Sequence, residues 1–170
     1  NQKKDKTSLF FLHSYAGHFS MGGYSDFISG EKEFQYPDYI NKKNFLGNDQ
    51  KNMKITKEYD AAIKYIDKSL SSIIDCYIDD TSQDQKPKVL IYFSDHGESP
   101  YSNKGHDPVH LSYEMLHVPL IIYFNDAALK IYKNKFDILQ NIRTENLSLK
   151  IISEIILMLF DVSIVKNNDT

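Results

Sequence analysis

The chain has 170 residues, of which 41% are apolar and 25% are charged, and its net charge is −3. This length is enough for one domain with a hydrophobic core, and the apolar content is too high for a disordered chain. The negative net charge argues against nucleic-acid binding, and no apolar run approaches the roughly 20 residues of a membrane-spanning helix. The single cysteine, Cys76, excludes an internal disulfide, and we expect it to be a small core residue.

A first buried strand is predicted over residues 8–13, where an apolar run ends at His13. Small and polar residues follow as far as His18. A histidine after a strand is more often an ordinary loop residue than a functional one, so the pattern alone assigns no role to either histidine. Residues 25–56 show no sustained period, and we expect them to form an irregular segment that packs over the edge of the sheet.

The clearest helix is predicted over residues 56–77, with Thr56 as its N-cap. Its apolar residues recur at helical spacing and fall on one stripe of the helix. They are Tyr59, Ile63, Ile66, Leu70, Ile73, Ile74 and Tyr77.

The central strand is predicted over residues 89–93, which are five apolar residues typical of a strand buried on both faces of a parallel sheet. Asp95, His96 and Gly97 follow it, at the end of the strand where ligands bind in open α/β sheets. A carboxylate beside an imidazole suits Zn²⁺ or another divalent metal, provided that the backbone is already turning. The alternative is a polar loop whose acidic residue caps a helix.

The remaining elements are a further buried strand over residues 118–124, a link over residues 125–140 with one short helix, and a last helix over about residues 146–160. Three histidines, His106, His110 and His117, lie between the central strand and this later strand. The pattern as a whole predicts an α/β protein with a mostly parallel sheet flanked by helices.

Residues 94–99, Ser-Asp-His-Gly-Glu-Ser, resemble the motif of the lipid A phosphoethanolamine transferases, which belong to the sulfatase branch of the alkaline phosphatase superfamily. The resemblance implies an alkaline-phosphatase-like fold and makes Asp95 and His96 ligands of Zn²⁺. Residues 12–18 resemble the family's Leu-His-x-x-Gly-Ser-His segment, which implies that His18 contacts the transferred phosphate group.

Residues 105–110, Gly-His-Asp-Pro-Val-His, resemble a family element His-Gly-x-Pro whose histidine also faces the phosphate. His106 is our first choice for that histidine, because a proline follows it closely, and His110 is the second choice. His13 and His117 are expected to be structural. These assignments predict that Asp95, His96, His18 and His106 converge on one edge of the sheet.

The resemblance also implies what this chain lacks. The family's nucleophilic threonine lies upstream of the matched segments, and Thr7 and Ser8 are not credible substitutes. We therefore expect residues 1–170 to form a single partial catalytic domain, the C-terminal half, which is soluble, inactive alone and without a catalytic nucleophile.

In the longer enzyme, the resemblance implies transfer of phosphoethanolamine from phosphatidylethanolamine to an envelope glycolipid such as lipid A. The site would lie at the periplasmic face of a bacterial inner membrane, anchored by a segment outside this chain. Two alternatives stay open. One is a sulfatase or phosphodiesterase of the same superfamily, and the other is a non-catalytic binding module with a degenerate site.

Overall fold

The computed structural model describes residues 7–18, 23–24, 50–78, 86–100 and 105–163. The chain divides into two compact units. Unit 1 comprises Asn1–Ser69 and Glu98–Asp107, and unit 2 comprises Leu70–Gly97 and Pro108–Thr170. The irregular segment predicted for residues 25–56 lies outside the described residues except for its last seven positions, which are helical.

The described residues form five helices and one two-stranded sheet, with a π-helical turn after the first helix. In chain order these are α1 (Gln50–Ile73), the π-helical turn (Ile74–Ile78), β1 (Val89–Phe93), α2 (Tyr113–Leu116), β2 (Leu120–Phe124), α3 (Asp126–Ile131), α4 (Lys133–Asn141) and α5 (Ile151–Leu159).

The first helix confirms the predicted periodicity but not the predicted boundaries. Helix α1 begins at Gln50, so Thr56 is a buried residue inside the helix and not its N-cap. Ala61 and Ala62 are fully buried, whereas Ile63 is 46% exposed, because small side chains allow the closest approach of a neighbouring segment. The prediction for Cys76 was wrong, since this residue is exposed.

The two strands of the sheet lie where the sequence places them, but they pair antiparallel, with Val89 opposite Phe124 and Phe93 opposite Leu120. The predicted parallel pairing is therefore not seen in the described sheet. Parallel strands are usually joined by a helix that crosses over the sheet, and the described helix between β1 and β2 has only four residues. Most strand residues are half-buried, so burial on both faces is also not observed.

The first predicted strand is not formed. Residues 7–15 have no regular secondary structure, and Phe10, Phe11 and Leu12 are 78–83% exposed. Strand-forming composition alone does not make a strand, because the backbone also needs a neighbouring strand with which to exchange hydrogen bonds. Among the described residues, the sheet consists of β1 and β2.

The core of unit 2 lies on one face of this sheet. Phe124, Ala128, Leu139 and Ile155 are buried together, which joins β2 to helices α3, α4 and α5. The Phe136 ring of α4 meets the Phe124 ring edge-on, with the two centroids 5.5 Å apart. The alternate residues of both strands that share this face complete the core; they are Val89, Ile91, Leu120 and Ile122.

Asn125 ends β2 and begins α3. Its side-chain oxygen accepts hydrogen bonds from the backbone N–H of Ala128, at 2.9 Å, and of Lys88, at 3.0 Å. Its amide nitrogen donates to the carbonyl oxygen of Lys86, at 2.9 Å. The buried side chain therefore caps the helix and ties it to the start of β1. The link predicted for residues 125–140 contains two helices instead of one.

The last helix begins at Ile151, about five residues later than predicted. Its C-terminal end is stabilised by Lys135 of α4, whose Nζ donates to the carbonyl oxygen of Leu159, at 3.1 Å, and lies 2.8 Å from Oδ1 of Asp161. A cation at this end is favourable because the last carbonyl groups of a helix carry partial negative charge.

Candidate functional site

The chain turns directly after β1. The strand ends at Phe93, and the Ser94 hydroxyl donates a 2.6 Å hydrogen bond to the backbone carbonyl of His96. Asp95 lies in the bend with its side chain 85% exposed. The backbone is therefore already turning at Asp95 and His96, so their side chains no longer point to opposite faces of a strand and can reach one ion.

Asp95 and His96 are close enough to share a metal ion. Oδ1 of Asp95 lies 4.0 Å from Nε2 of His96. In a tetrahedral zinc site, oxygen and nitrogen ligands at about 2.0–2.2 Å from the ion lie about 3.4 Å apart, so a small rotation of the exposed Asp95 side chain would bring the two atoms to that separation.

The other ring nitrogen of His96, Nδ1, lies 2.9 Å from the carbonyl oxygen of Gly97. A carbonyl can only accept, so Nδ1 donates, and Nε2 is the ring nitrogen with the lone pair. Metal-binding histidines commonly use this arrangement, in which a backbone carbonyl orients the ring. The pair therefore fits a divalent metal ion.

Gly97 is required by a close backbone approach. Its N–H donates a 2.8 Å hydrogen bond to the carbonyl oxygen of Met115 in α2. A Cβ atom at this position would collide with the carbonyl oxygen of Glu114. The absence of a side chain thus allows α2 to pack directly against the segment that carries Asp95 and His96.

In unit 1, the carboxylate of Glu98 contacts His106. Oε1 of Glu98 lies 3.0 Å from Nδ1 of His106. The Glu98 side chain is only 7% exposed, and its second oxygen, Oε2, is buried without a hydrogen-bond partner among the described residues. Burying a carboxylate costs free energy unless the group is hydrogen-bonded or paired with a cation. Packing alone therefore does not explain why residue 98 is a glutamate.

A short loop brings Glu98 and His106 together. The N–H of Ser99 donates a 2.6 Å hydrogen bond to the carbonyl oxygen of Gly105, which closes the loop at its base. Gly105 is buried and has a φ of 71°, a conformation that favours glycine. The residues on either side of this bond, Glu98 and His106, are consequently neighbours.

His18 lies beside His106. The two imidazole rings meet edge to face with their centroids 5.4 Å apart. The Tyr15 ring lies 6.3 Å from the His18 ring and 4.9 Å from the His13 ring. The turn before His18 depends on Gly17, whose φ is 89° and whose Cα approaches Ile66 of α1 so closely that a Cβ would lie 2.7 Å from its Cδ1.

The structure thus brings the predicted site residues together as two pairs, each within its own unit. His18 and His106 form one pair in unit 1, and Asp95 and His96 form the other in unit 2. His110, the second choice, is exposed in unit 2. His117 is the C-cap of α2 and stacks on the Tyr113 ring at a centroid distance of 4.9 Å, in keeping with a structural role.

Glu98 had no predicted role, although it belongs to the recognised motif. The sequence shows an acidic residue after a glycine, which is common in exposed loops. Only its burial and its contact with an imidazole distinguish it from an ordinary loop acid.

Comparison with known families decides the broader identity. The family model described as Sulfatase matches residues 1–153. The chain belongs to the sulfatase family. Membership implies the α/β fold of the alkaline phosphatase superfamily and a metal-dependent hydrolase or transferase chemistry. The carboxylate and imidazole groups of this sulfatase-family chain are suitable ligands for such a metal.

No curated protein and no solved structure matches the chain. Among the helices that the structure describes, none combines the length and the apolar character needed to cross a membrane.

Proposed function

We propose that this chain is part of a metal-dependent enzyme that transfers phosphoethanolamine from phosphatidylethanolamine to an envelope glycolipid, such as lipid A. The observation that carries the proposal is the Ser-Asp-His-Gly-Glu-Ser motif of residues 94–99, found at a turn that brings Asp95 and His96 within 4.0 Å of each other. In the longer protein, the site would face the periplasm at the bacterial inner membrane, with a membrane anchor outside these residues.

Asp95 and His96 would hold Zn²⁺. When bound, the ion would lower the pKa of a coordinated hydroxyl group and neutralise charge on the phosphate oxygens. The carbonyl of Gly97 holds the His96 ring so that Nε2 is the ligand atom. Two protein ligands do not complete the coordination shell of zinc, so we expect further ligands from the same longer protein.

His18 and His106 would bind the phosphate group that is transferred. Two imidazole rings 5.4 Å apart can direct N–H groups to different oxygens of one tetrahedral anion, and His106 does so through Nε2 once its ring is protonated, because its Nδ1 contacts Glu98. The same rings can exchange protons with the attacking or the leaving oxygen.

The nucleophile in this proposal is a threonine outside the 170 residues, because Thr7 and Ser8 do not occupy the position that the motif requires. The chain by itself would therefore bind zinc weakly and have no transferase activity. Activity of the isolated chain with a headgroup-labelled phosphatidylethanolamine would contradict this part of the proposal.

The main experiment replaces Asp95 by Asn in the longer protein and measures bound zinc and transfer of a labelled headgroup to lipid A. Losing a metal ligand should remove several kcal/mol of transition-state stabilisation, which corresponds to about a 10³-fold lower activity, together with lower zinc content. Asp67→Asn, which changes an exposed carboxylate on α1, is the matched control and should leave both values unchanged. Full zinc content and activity in Asp95→Asn would refute the metal assignment.

The second candidate is hydrolysis of a sulfate ester or phosphodiester, with which membership of the sulfatase family is equally consistent. The same groups would serve, with water as the final acceptor. Release of inorganic sulfate or of free phosphoethanolamine, without a modified glycolipid, would establish this function in place of transfer. Zinc binding without turnover of either substrate would instead indicate a non-catalytic module.

A further inference from the structure

The contact between Glu98 and His106 suggests a role for Glu98, to which the sequence motif assigned none. The Glu98 side chain is more than nine-tenths buried, and its only hydrogen bond among the described residues is the 3.0 Å contact with Nδ1 of His106. Nothing about packing requires a carboxylate at this position. Retaining a carboxylate there is costly, which points to a function in orienting the imidazole.

The chemistry of the contact determines the position of the ring proton. An ionised carboxylate can only accept hydrogen bonds, so Nδ1 must carry the proton and donate it to Oε1. In the neutral ring, the lone pair then belongs to Nε2. In a protonated ring, both nitrogens donate, and the negative carboxylate stabilises the positive charge.

We propose that Glu98 is a positioning residue for His106, which fixes the ring orientation and holds the proton on Nδ1 so that Nε2 is the reactive nitrogen. This inference rests on the proposed function in one respect, namely that His106 contacts the transferred group. The hydrogen bond between Ser99 and Gly105 supports it, because it closes the loop that holds Glu98 and His106 side by side.

In the reaction, this arrangement defines where the proton of the attacking hydroxyl goes. As an acceptor hydroxyl attacks phosphorus, its O–H bond breaks and the proton moves to Nε2 of His106. A new P–O bond forms while the bond from phosphorus to the leaving oxygen breaks, and the leaving oxygen takes the electron pair of that bond and then the proton from Nε2 of His106. Glu98 remains ionised and stabilises the imidazolium ring through Nδ1–H, as the buried carboxylate does in a Ser-His-Asp triad.

The first test uses the ¹⁵N-labelled 170-residue chain without metal or substrate. Long-range ¹H–¹⁵N spectra at about pH 8.5, where imidazole rings are neutral, report which nitrogen of His106 is protonated. We expect the Nδ1–H form to predominate. A predominant Nε2–H form would overturn the proposal, because Glu98 would then be a carboxylic acid that donates to Nδ1.

The second test compares Glu98→Gln with Glu145→Gln, which removes an exposed carboxylate far along the chain. The uncharged amide can either accept from or donate to Nδ1, so Glu98→Gln should increase the Nε2–H population of His106, whereas Glu145→Gln should not. An unchanged His106 spectrum in a folded Glu98→Gln chain would refute the positioning role. If that variant does not fold, the spectrum of the unmodified chain still decides the question.

A third measurement separates this inference from the proposed function. In the longer enzyme, Glu98→Gln should lower kcat by about 10- to 100-fold with little change in KM, as losses of orienting partners typically do. If no transfer is found in the unmodified enzyme, the proposed function fails, but the spectra still establish or refute the contact. If transfer is found and Glu98→Gln leaves kcat unchanged, the positioning role alone is refuted.

Discussion

The two units differ in what they bury. In unit 2, the buried residues form an apolar core between β2 and helices α3, α4 and α5, with Phe124 and Ile155 among them. The described part of unit 1 buries small or polar groups instead, and its large apolar residues Phe10 and Phe11 are mostly exposed. Among the described residues of unit 1, the buried side chains are those of Thr56, Ala61, Ala62 and Glu98.

Among the described residues, the apolar core lies in unit 2, whereas the proposed site residues lie in both units. Asp95 and His96 follow a strand of the unit that has the core, so the proposed metal ligands are attached to a well-supported element. Glu98, His18 and His106 belong to unit 1, whose described residues bury little apolar surface, and a hydrogen bond and a ring contact hold their side chains. Substitutions should therefore reduce stability most in unit 2.

The largest effect on stability is expected from truncating the core of unit 2. Ile155 is 3% exposed, so Ile155→Ala should lower the free energy of unfolding by about 2–5 kcal/mol through lost burial and a cavity. Ile63→Ala in unit 1 is the matched change, and because Ile63 is 46% exposed it should cost less than about 1 kcal/mol. Urea unfolding of both variants measures the difference, and equal losses would contradict the comparison.

A smaller effect is expected from Gly97→Ala, which tests whether the segment with the proposed metal ligands Asp95 and His96 depends on α2. The added Cβ would meet the carbonyl group of Glu114, and the resulting shift should cost about 1–3 kcal/mol and weaken zinc binding. Gly23→Ala is the control in unit 1, since no atom of the described residues lies within 4 Å of the new methyl group. Unfolding curves and zinc titration should change only for Gly97→Ala. Zinc affinity that survives the substitution would show that α2 does not support the segment.

The smallest effect is a pH dependence in the sheet of unit 2. Burial raises the pKa of the Tyr92 phenol, so the folded state holds this proton more tightly than the unfolded state, whose tyrosines titrate near pH 10. The resulting stability is complete below about pH 10 and is lost as the pH rises through the folded-state pKa.

Thermal unfolding at about pH 8 and pH 11 tests this prediction. The unmodified chain should lose more stability between the two values than Tyr92→Phe, which has no phenol to ionise. Tyr113→Phe, at a tyrosine that is 70% exposed, should lose as much as the unmodified chain. An equal loss in all three would show that the burial of Tyr92 has no measurable effect.

Several elements were predictable because their signals are local. The apolar runs at residues 89–93 and 118–124 predicted β1 and β2, and the helical spacing of residues 56–77 predicted most of α1. The direction of strand pairing was not predictable, because an apolar run has the same composition in a parallel and an antiparallel sheet. The prediction of a strand over residues 8–13 was wrong for a related reason, since their composition does not show whether a partner strand is present.

The site residues show the same limit. Asp95, His96, His18 and His106 could be named from residue chemistry and from the resemblance to the phosphoethanolamine transferases. Their convergence into a single site stays a prediction, as does the role of each residue. Glu98 could not be distinguished from an exposed acid until the closure of its loop between Ser99 and Gly105 was seen.

The sequence by itself determined where the chain can form strands and helices and which side chains are able to bind a metal ion or an anion. These properties follow from local periodicity and from functional groups. Only the tertiary structure decided that β1 and β2 are antiparallel, that α2 packs against Gly97 and that Glu98 is buried against His106. Each of these depends on contacts between residues distant in the sequence or on loop closure, which no local pattern encodes.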